Sequence, residues 1–124
     1  MNIEKFREVI AHRIYVEDIS MGEWYTEIEK CQNDVIKIIT EDIDSSIDFL
    51  KNECTADEYS WISEVLDEIV GITHSREFLE TYKSLKDKFL EEFDKYNIDG
   101  MIASAEGGLK WEEEHGEGSK KSGG

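Results

Sequence analysis

The sequence predicts an all-α fold, a compact antiparallel bundle or stack of about five to six helices. Three observations carry this expectation. Apolar residues recur three to four apart over most of the chain, the period of one helix face. The strict alternation that a half-buried strand needs is missing. Proline, the strongest helix breaker, is absent. A chain of 124 residues fits one domain and can bury a core without disulfides or metal.

The elements follow in order. Ile3, Phe6, Ile10 and Ile14 form the stripe of a first helix over 3–16, and Asp18–Ser20 supply turn or cap chemistry. A second helix, Met21 to Ile39, carries Trp24, Ile28, Cys31, Val35 and Ile39 on one face. Thr40 can cap a third, shorter helix in which Ile43, Ile47, Leu50 and Cys54 align. Thr55-Ala-Asp-Glu58 reads as a capping box: the Thr55 hydroxyl accepts from the Glu58 amide, and the Glu58 carboxylate accepts from the Thr55 amide. The helix behind it is expected to run to Gly71, with Ile62, Val65, Leu66, Ile69 and Val70 inward. Ser75 caps a helix from Arg76 to Tyr96, and Asn97-Ile-Asp-Gly100 breaks it. A short segment with Met101, Ile102, Ala105 and Leu109 is expected to end at Gly107-Gly108. These boundaries give a helical domain over 1–111 and a disordered acidic, Gly- and Ser-containing tail over 112–124.

Composition narrows the function. No apolar run approaches the roughly 18–20 residues that span a bilayer, and the N-terminus lacks the uninterrupted apolar stretch of a secretory signal. Cys31 and Cys54 form no paired motif and read as reduced thiols on helix core faces, so a cytoplasmic location is expected. His12, His74 and His115 fall in no recognisable catalytic context. The Glu-x-x-His spacing of a di-metal bundle occurs only at Glu112–His115, in the expected tail. Asp42, Asp44, Ser46, Asp48 and Glu53 match calcium-loop positions, but Ile47 stands where the loop needs glycine and belongs to the apolar stripe. No glycine-rich phosphate loop is present, and Lys83, Lys86, Lys88 and Lys95 interleave with acids as on a solvated helix face. The expectation is no enzyme, no metal or other cofactor, no direct nucleic acid and no membrane.

The distribution of charge is more telling. The chain carries −16, and residues 41–80 alone hold twelve acids against Lys51 and Arg76. So lopsided a segment opposes its own compaction and suits the steering of a basic partner. Asp57, Glu64, Asp67 and Glu68 fall opposite the apolar stripe of their helix, with Tyr59 and Trp61 at its border. Asp44 and Asp48 lie on the polar side of the preceding helix, and the short Asn52–Thr55 connection is expected to join the two acidic faces. With no Lys or Arg between Lys51 and Arg76, the face is expected to go unneutralised. Aromatic anchors beside an acidic rim give a candidate protein-binding face of Asp44, Asp48, Asp57, Tyr59, Trp61, Glu64, Asp67 and Glu68. Partial core burial is the alternative for Trp61.

Over residues 47–109 the chain also resembles a known group. The carrying segments are Ile47-Asp-Phe-Leu50-Lys-Asn-Glu-Cys54-Thr and Tyr59-Ser-Trp61-Ile-Ser-Glu64-Val-Leu-Asp-Glu68-Ile. Ser75-Arg-Glu-Phe78-Leu, Lys95-Tyr96-Asn97-Ile98 and Ala103-Ser104-Ala105-Glu106 complete them. They are similar to immunity proteins of bacterial contact-dependent growth inhibition and related polymorphic toxin systems. The resemblance implies a monomer that neutralises the C-terminal domain of a cognate toxin, often a nuclease with a basic active site, in a heterodimeric complex. A nucleic-acid mimic and a helical adaptor are the alternatives.

Overall fold

The computed structural model describes residues 1–115, and they are helical with short connections. Eight helices follow one another: α1 (Ile3–Ser20), α2 (Tyr25–Glu41), α3 (Ile43–Asn52), α4 (Ala56–Ser63), α5 (Leu66–Thr73), α6 (Arg76–Ser84), α7 (Leu90–Lys95) and α8 (Ile98–His115). No strand occurs among the described residues. The all-α expectation holds, with more and shorter helices than the periodicity suggested.

α1 and α2 form an antiparallel hairpin. Asn2 and Lys5 share one notch with Asp34, Lys37 and Glu41, whereas His12 meets Glu27. Advancing along α1 therefore means retreating along α2. Met21 in the left-handed conformation (φ 53°) and Gly22 (φ 79°) reverse the chain between them, so α2 starts at Tyr25 and leaves Trp24 outside its inward stripe. α2 then packs on α3 and α5, α3 on α6, and α8 lies across α4, α5, α6 and α7. Buried side chains of all eight helices meet in one core, with Tyr59, Tyr82, Phe6 and Phe78 among the largest fully enclosed.

The caps explain several starts. The Thr55–Glu58 box is formed in both directions, with N–O distances of 3.2 and 3.0 Å. Ser75 caps α6 by accepting from the Phe78 amide at 3.0 Å. Asp42, not Thr40, caps α3; the Thr40 hydroxyl donates back to the Ile36 carbonyl instead. The calcium-like segment is helix, as the apolar stripe required.

Three expected boundaries move. The helix expected over 55–71 breaks at Glu64–Val65, where both amides donate to the third preceding carbonyl. Ser60 and Ser63 donate to the carbonyls of Asp57 and Ser60, and such back-bonding bends a helix. The helix expected over 76–96 breaks after Ser84, which bonds back to Thr81 in the same way. α8, by contrast, runs through Gly107-Gly108. Each glycine costs about 1 kcal/mol in a helix interior, and burial of Ile102, Ala105 and Leu109 along one stripe offsets it. Residues 112–115 thus belong to a helix rather than to a disordered tail, and the rest of that expected tail lies outside the described residues.

Candidate protein-binding face

The first correction concerns neutralisation. Two arginines of α1, each 51 residues upstream of its partner, reach the acids of α4. Arg7 Nε donates to Glu58 at 2.8 Å, and Arg13 Nε and Nη2 donate to the two Glu64 oxygens at 3.1 and 2.8 Å. Arg13 also donates to Glu17 at 2.8 Å, and its guanidinium lies 4.8 Å from the centre of the Trp61 ring. Arg13 is only 5 % exposed. Burial alone would lower its pKa; the hydrogen bonds to Glu64 and Glu17 outweigh that and hold it above its ordinary value. Arg76 and Lys83, both more exposed, lie within ion-pair distance of Glu80 and Glu106. Of the twelve acids in 41–80, Glu58, Glu64 and Glu80 lie within ion-pair distance of a cation among the described residues.

The second correction concerns Tyr59. It is fully buried, stacked on Tyr82 with ring centres 4.3 Å apart, and it belongs to the core. The Tyr82 hydroxyl donates to the Tyr59 carbonyl at 2.6 Å, whereas the Tyr59 hydroxyl has no partner among the described residues. Burial raises the pKa of both phenols.

The remaining residues divide into two groups. Asp57, Ser60, Trp61 and Glu64 recur three to four apart on one side of α4. Beside them opens a cleft of about 480 Å³, walled by Glu17 of α1, Ser60, Trp61 and Ser63 of α4, Glu64 at its C-cap, Tyr96, and Met101 of α8. Asp67, at the start of α5, accepts from the Ser104 hydroxyl at 2.7 Å, one turn along α8 from Met101. Of the expected residues, Trp61 and Glu64 wall the cleft; Asp57 is exposed one turn before Trp61, and Asp67 and Glu68 are exposed at the start of α5. Trp61 is half-buried, with its indole N–H enclosed, so it is both wall and partial core.

Asp44 and Asp48 do not join them. They are exposed on α3, which packs on α2 and α6 and is tied to the start of α1 by a hydrogen bond from the Met1 amine to Ser45. The cleft sits at Glu17, near the other end of α1. At 1.5 Å per residue the Ser45 contact at the start of α1 and the cleft at Glu17 are roughly 20 Å apart along that helix. Asp44 and Asp48 therefore do not line the cleft.

A further set escaped the sequence reading. Tyr15, Ile19, Met21, Trp24 and Tyr25 are all exposed at the closed end of the α1–α2 hairpin, Met21 at 87 % and Tyr25 at 73 %. Glu17, Asp18, Glu23, Glu27 and Glu29 surround them in sequence. Helical periodicity assigned Trp24 to a core stripe and hid this cluster; three aromatics around a turn rich in acids were the available signal. Apolar side chains crowded at one exposed site mark an interaction surface more often than scattered ones do.

No helix among the described residues is long and apolar enough to cross a membrane. No family model matches the chain, and no curated protein or solved structure matches it.

Proposed function

We propose that this chain is a binding protein that captures and neutralises a basic protein domain through the cleft side of α4, in the manner of an immunity protein acting on its cognate bacterial toxin. The carrying observation is the cleft itself. Trp61, Tyr96 and Met101 offer apolar contact, Glu17 and Glu64 line the cleft in a pair with Arg13, and the exposed Asp57 and Asp67 on α4 and α5 supply unpaired negative charge. A lysine or arginine of the partner suits such a site, because its stem packs on the aromatics and its head meets carboxylates. Glu64 and Glu17 are already fixed by Arg13, so part of the ordering cost is met before binding. The exposed aromatics of the hairpin end add anchors adjoining Glu17. The likeness of residues 47–109 to immunity proteins supports a toxin as the partner, with a phosphate-binding, lysine- and arginine-rich nuclease site as the kind of surface engaged.

The test is co-expression in bacterial cells with the toxic C-terminal domain encoded beside the gene. Growth is expected to be rescued by the wild-type chain and lost with the Asp57→Lys/Asp67→Lys/Glu68→Lys variant, at unchanged helical circular dichroism. Rescue undiminished by the triple reversal would remove the cleft side from the account. Failure of the wild-type chain to rescue would remove the toxin.

A further inference from the structure

Outside the cleft, α1 and α2 bring together three side chains of the kind that ligate zinc. His12 comes from α1; Glu27 and Cys31 come from α2, four apart and hence on one face. One donor atom from each lies within 4.8 Å of the other two, and His12 Nε2 is 2.9 Å from a Glu27 oxygen. In a tetrahedral zinc centre, donors at about 2.0–2.3 Å from the metal stand roughly 3.3–3.6 Å from one another. Shifts of about 1 Å in long, partly exposed side chains cover the difference. The three groups edge a notch of about 220 Å³ that also touches Glu8 and Asp34 as well as Lys5 and Lys30. His12 is half-exposed at its mouth, and the Cys31 thiol is 2 % exposed at its floor.

The geometry points to a zinc-binding site of His12, Glu27 and Cys31 that clasps the α1–α2 hairpin. A neutral imidazole, a carboxylate and a thiolate together carry two negative charges, which balance the ion. Three protein ligands leave a fourth position for water or for one of the neighbouring carboxylates. Nitrogen, oxygen and sulfur donors in one set suit zinc better than magnesium or calcium, which prefer oxygen alone. The donors lie fifteen and four residues apart in sequence, which is not a metal spacing; the hairpin creates it. Uptake replaces the S–H bond with a Zn–S bond and releases the proton to solvent.

Cobalt(II) serves as a visible probe of the same site, and Cys54 as an internal control. Titration of the full chain, kept reduced without added thiols, should show one cobalt per chain with a sulfur-to-cobalt charge-transfer band. One equivalent of zinc should bleach it. Cys31→Ser should abolish the band, Cys54→Ser should leave it, and His12→Ala, at an exposed position, should weaken binding at least about tenfold. Zinc at about a hundredfold excess over its dissociation constant should raise the wild-type melting temperature by roughly 10 °C. Absence of the band at stoichiometric cobalt, or a band that survives Cys31→Ser, overturns the site. Zinc binding that is unchanged in both His12→Ala and Cys31→Ser overturns it equally, since the ion would then sit on surface carboxylates. None of these readouts involves the protein partner, so the site stands or falls independently of the proposed function.

Discussion

The two sides of α4 use the same residue types for opposite ends. On the sealed side, Glu58 is 7 % exposed, closes the capping box and accepts from Arg7, with Cys54 and Tyr59 beside it in the core. On the cleft side, its sequence neighbour Asp57 is exposed without an ion-pair partner among the described residues, in line with Trp61 and Glu64. Charge counted along a window is therefore not charge on a surface. Arginines supplied from α1 decide which carboxylates hold the fold together and which remain available to a partner.

Removing the arginine behind the cleft wall should have the largest effect. Arg13→Ala takes away a buried guanidinium that joins Glu64, Glu17 and the Trp61 ring, and it should cost about 2–3 kcal/mol in urea unfolding. A loss below about 0.5 kcal/mol would mean that the arginine is idle and the wall of the cleft is held by packing alone.

Alkaline pH probes the sealed side next. Burial, aided by the Glu58 carboxylate, pushes the Cys54 thiol from 9.0 up to about 12. The unfolded thiol ionises first, so this contribution is fully present below about pH 9. Above that it declines by about 1.4 kcal/mol per pH unit until the folded thiol also titrates. Cys54→Ala should flatten the decline measured by unfolding at pH 8 and pH 10.5; an equal slope in both proteins would contradict the assignment.

Neighbouring carboxylates sharpen the comparison further. Glu58→Ala breaks the cap and leaves Arg7 unpaired, for about 1–2 kcal/mol, whereas Asp57→Asn should change stability by less than about 0.5 kcal/mol. Equal losses would erase the distinction between the two sides. The smallest contrast belongs to the tyrosine pair. Tyr82→Phe removes a buried hydrogen bond and should cost about 1 kcal/mol, while Tyr59→Phe removes a hydroxyl without a partner and should be neutral or slightly stabilising.

Much of this was legible in the residues. The all-α class, the Thr55–Glu58 box, the Ser75 cap and the inward stripes of α3, α4 and α5 follow from local spacing, because their physics acts within a turn or two. The breaks after Ser63 and Ser84 were written in serines that bond back to the chain, but a smooth periodicity concealed them. The continuation of α8 through two glycines depends on what Ile102 and Leu109 pack against, which is tertiary. The binding face was half legible. Trp61 and Glu64 do wall one cleft, yet Arg7 and Arg13 reach Glu58 and Glu64 from 51 residues away, and no local rule predicts that Tyr59 turns inward while Trp61 stays at the rim. Asp44 and Asp48 were misplaced because a short connection was taken to keep two helix faces together, and it does not fix their relative rotation.

Capture through the cleft side of α4 is tested by the association rate with the proposed basic partner domain, measured as a function of salt. Asp57→Lys/Asp67→Lys/Glu68→Lys should slow association about tenfold or more at low ionic strength and flatten its salt dependence. Asp44→Lys/Asp48→Lys, at the other end of α1, should leave the cleft's contribution in place and change the rate far less. Equal slowing by both variants would show that only overall charge matters, and no slowing by the triple reversal would contradict capture through the cleft side of α4.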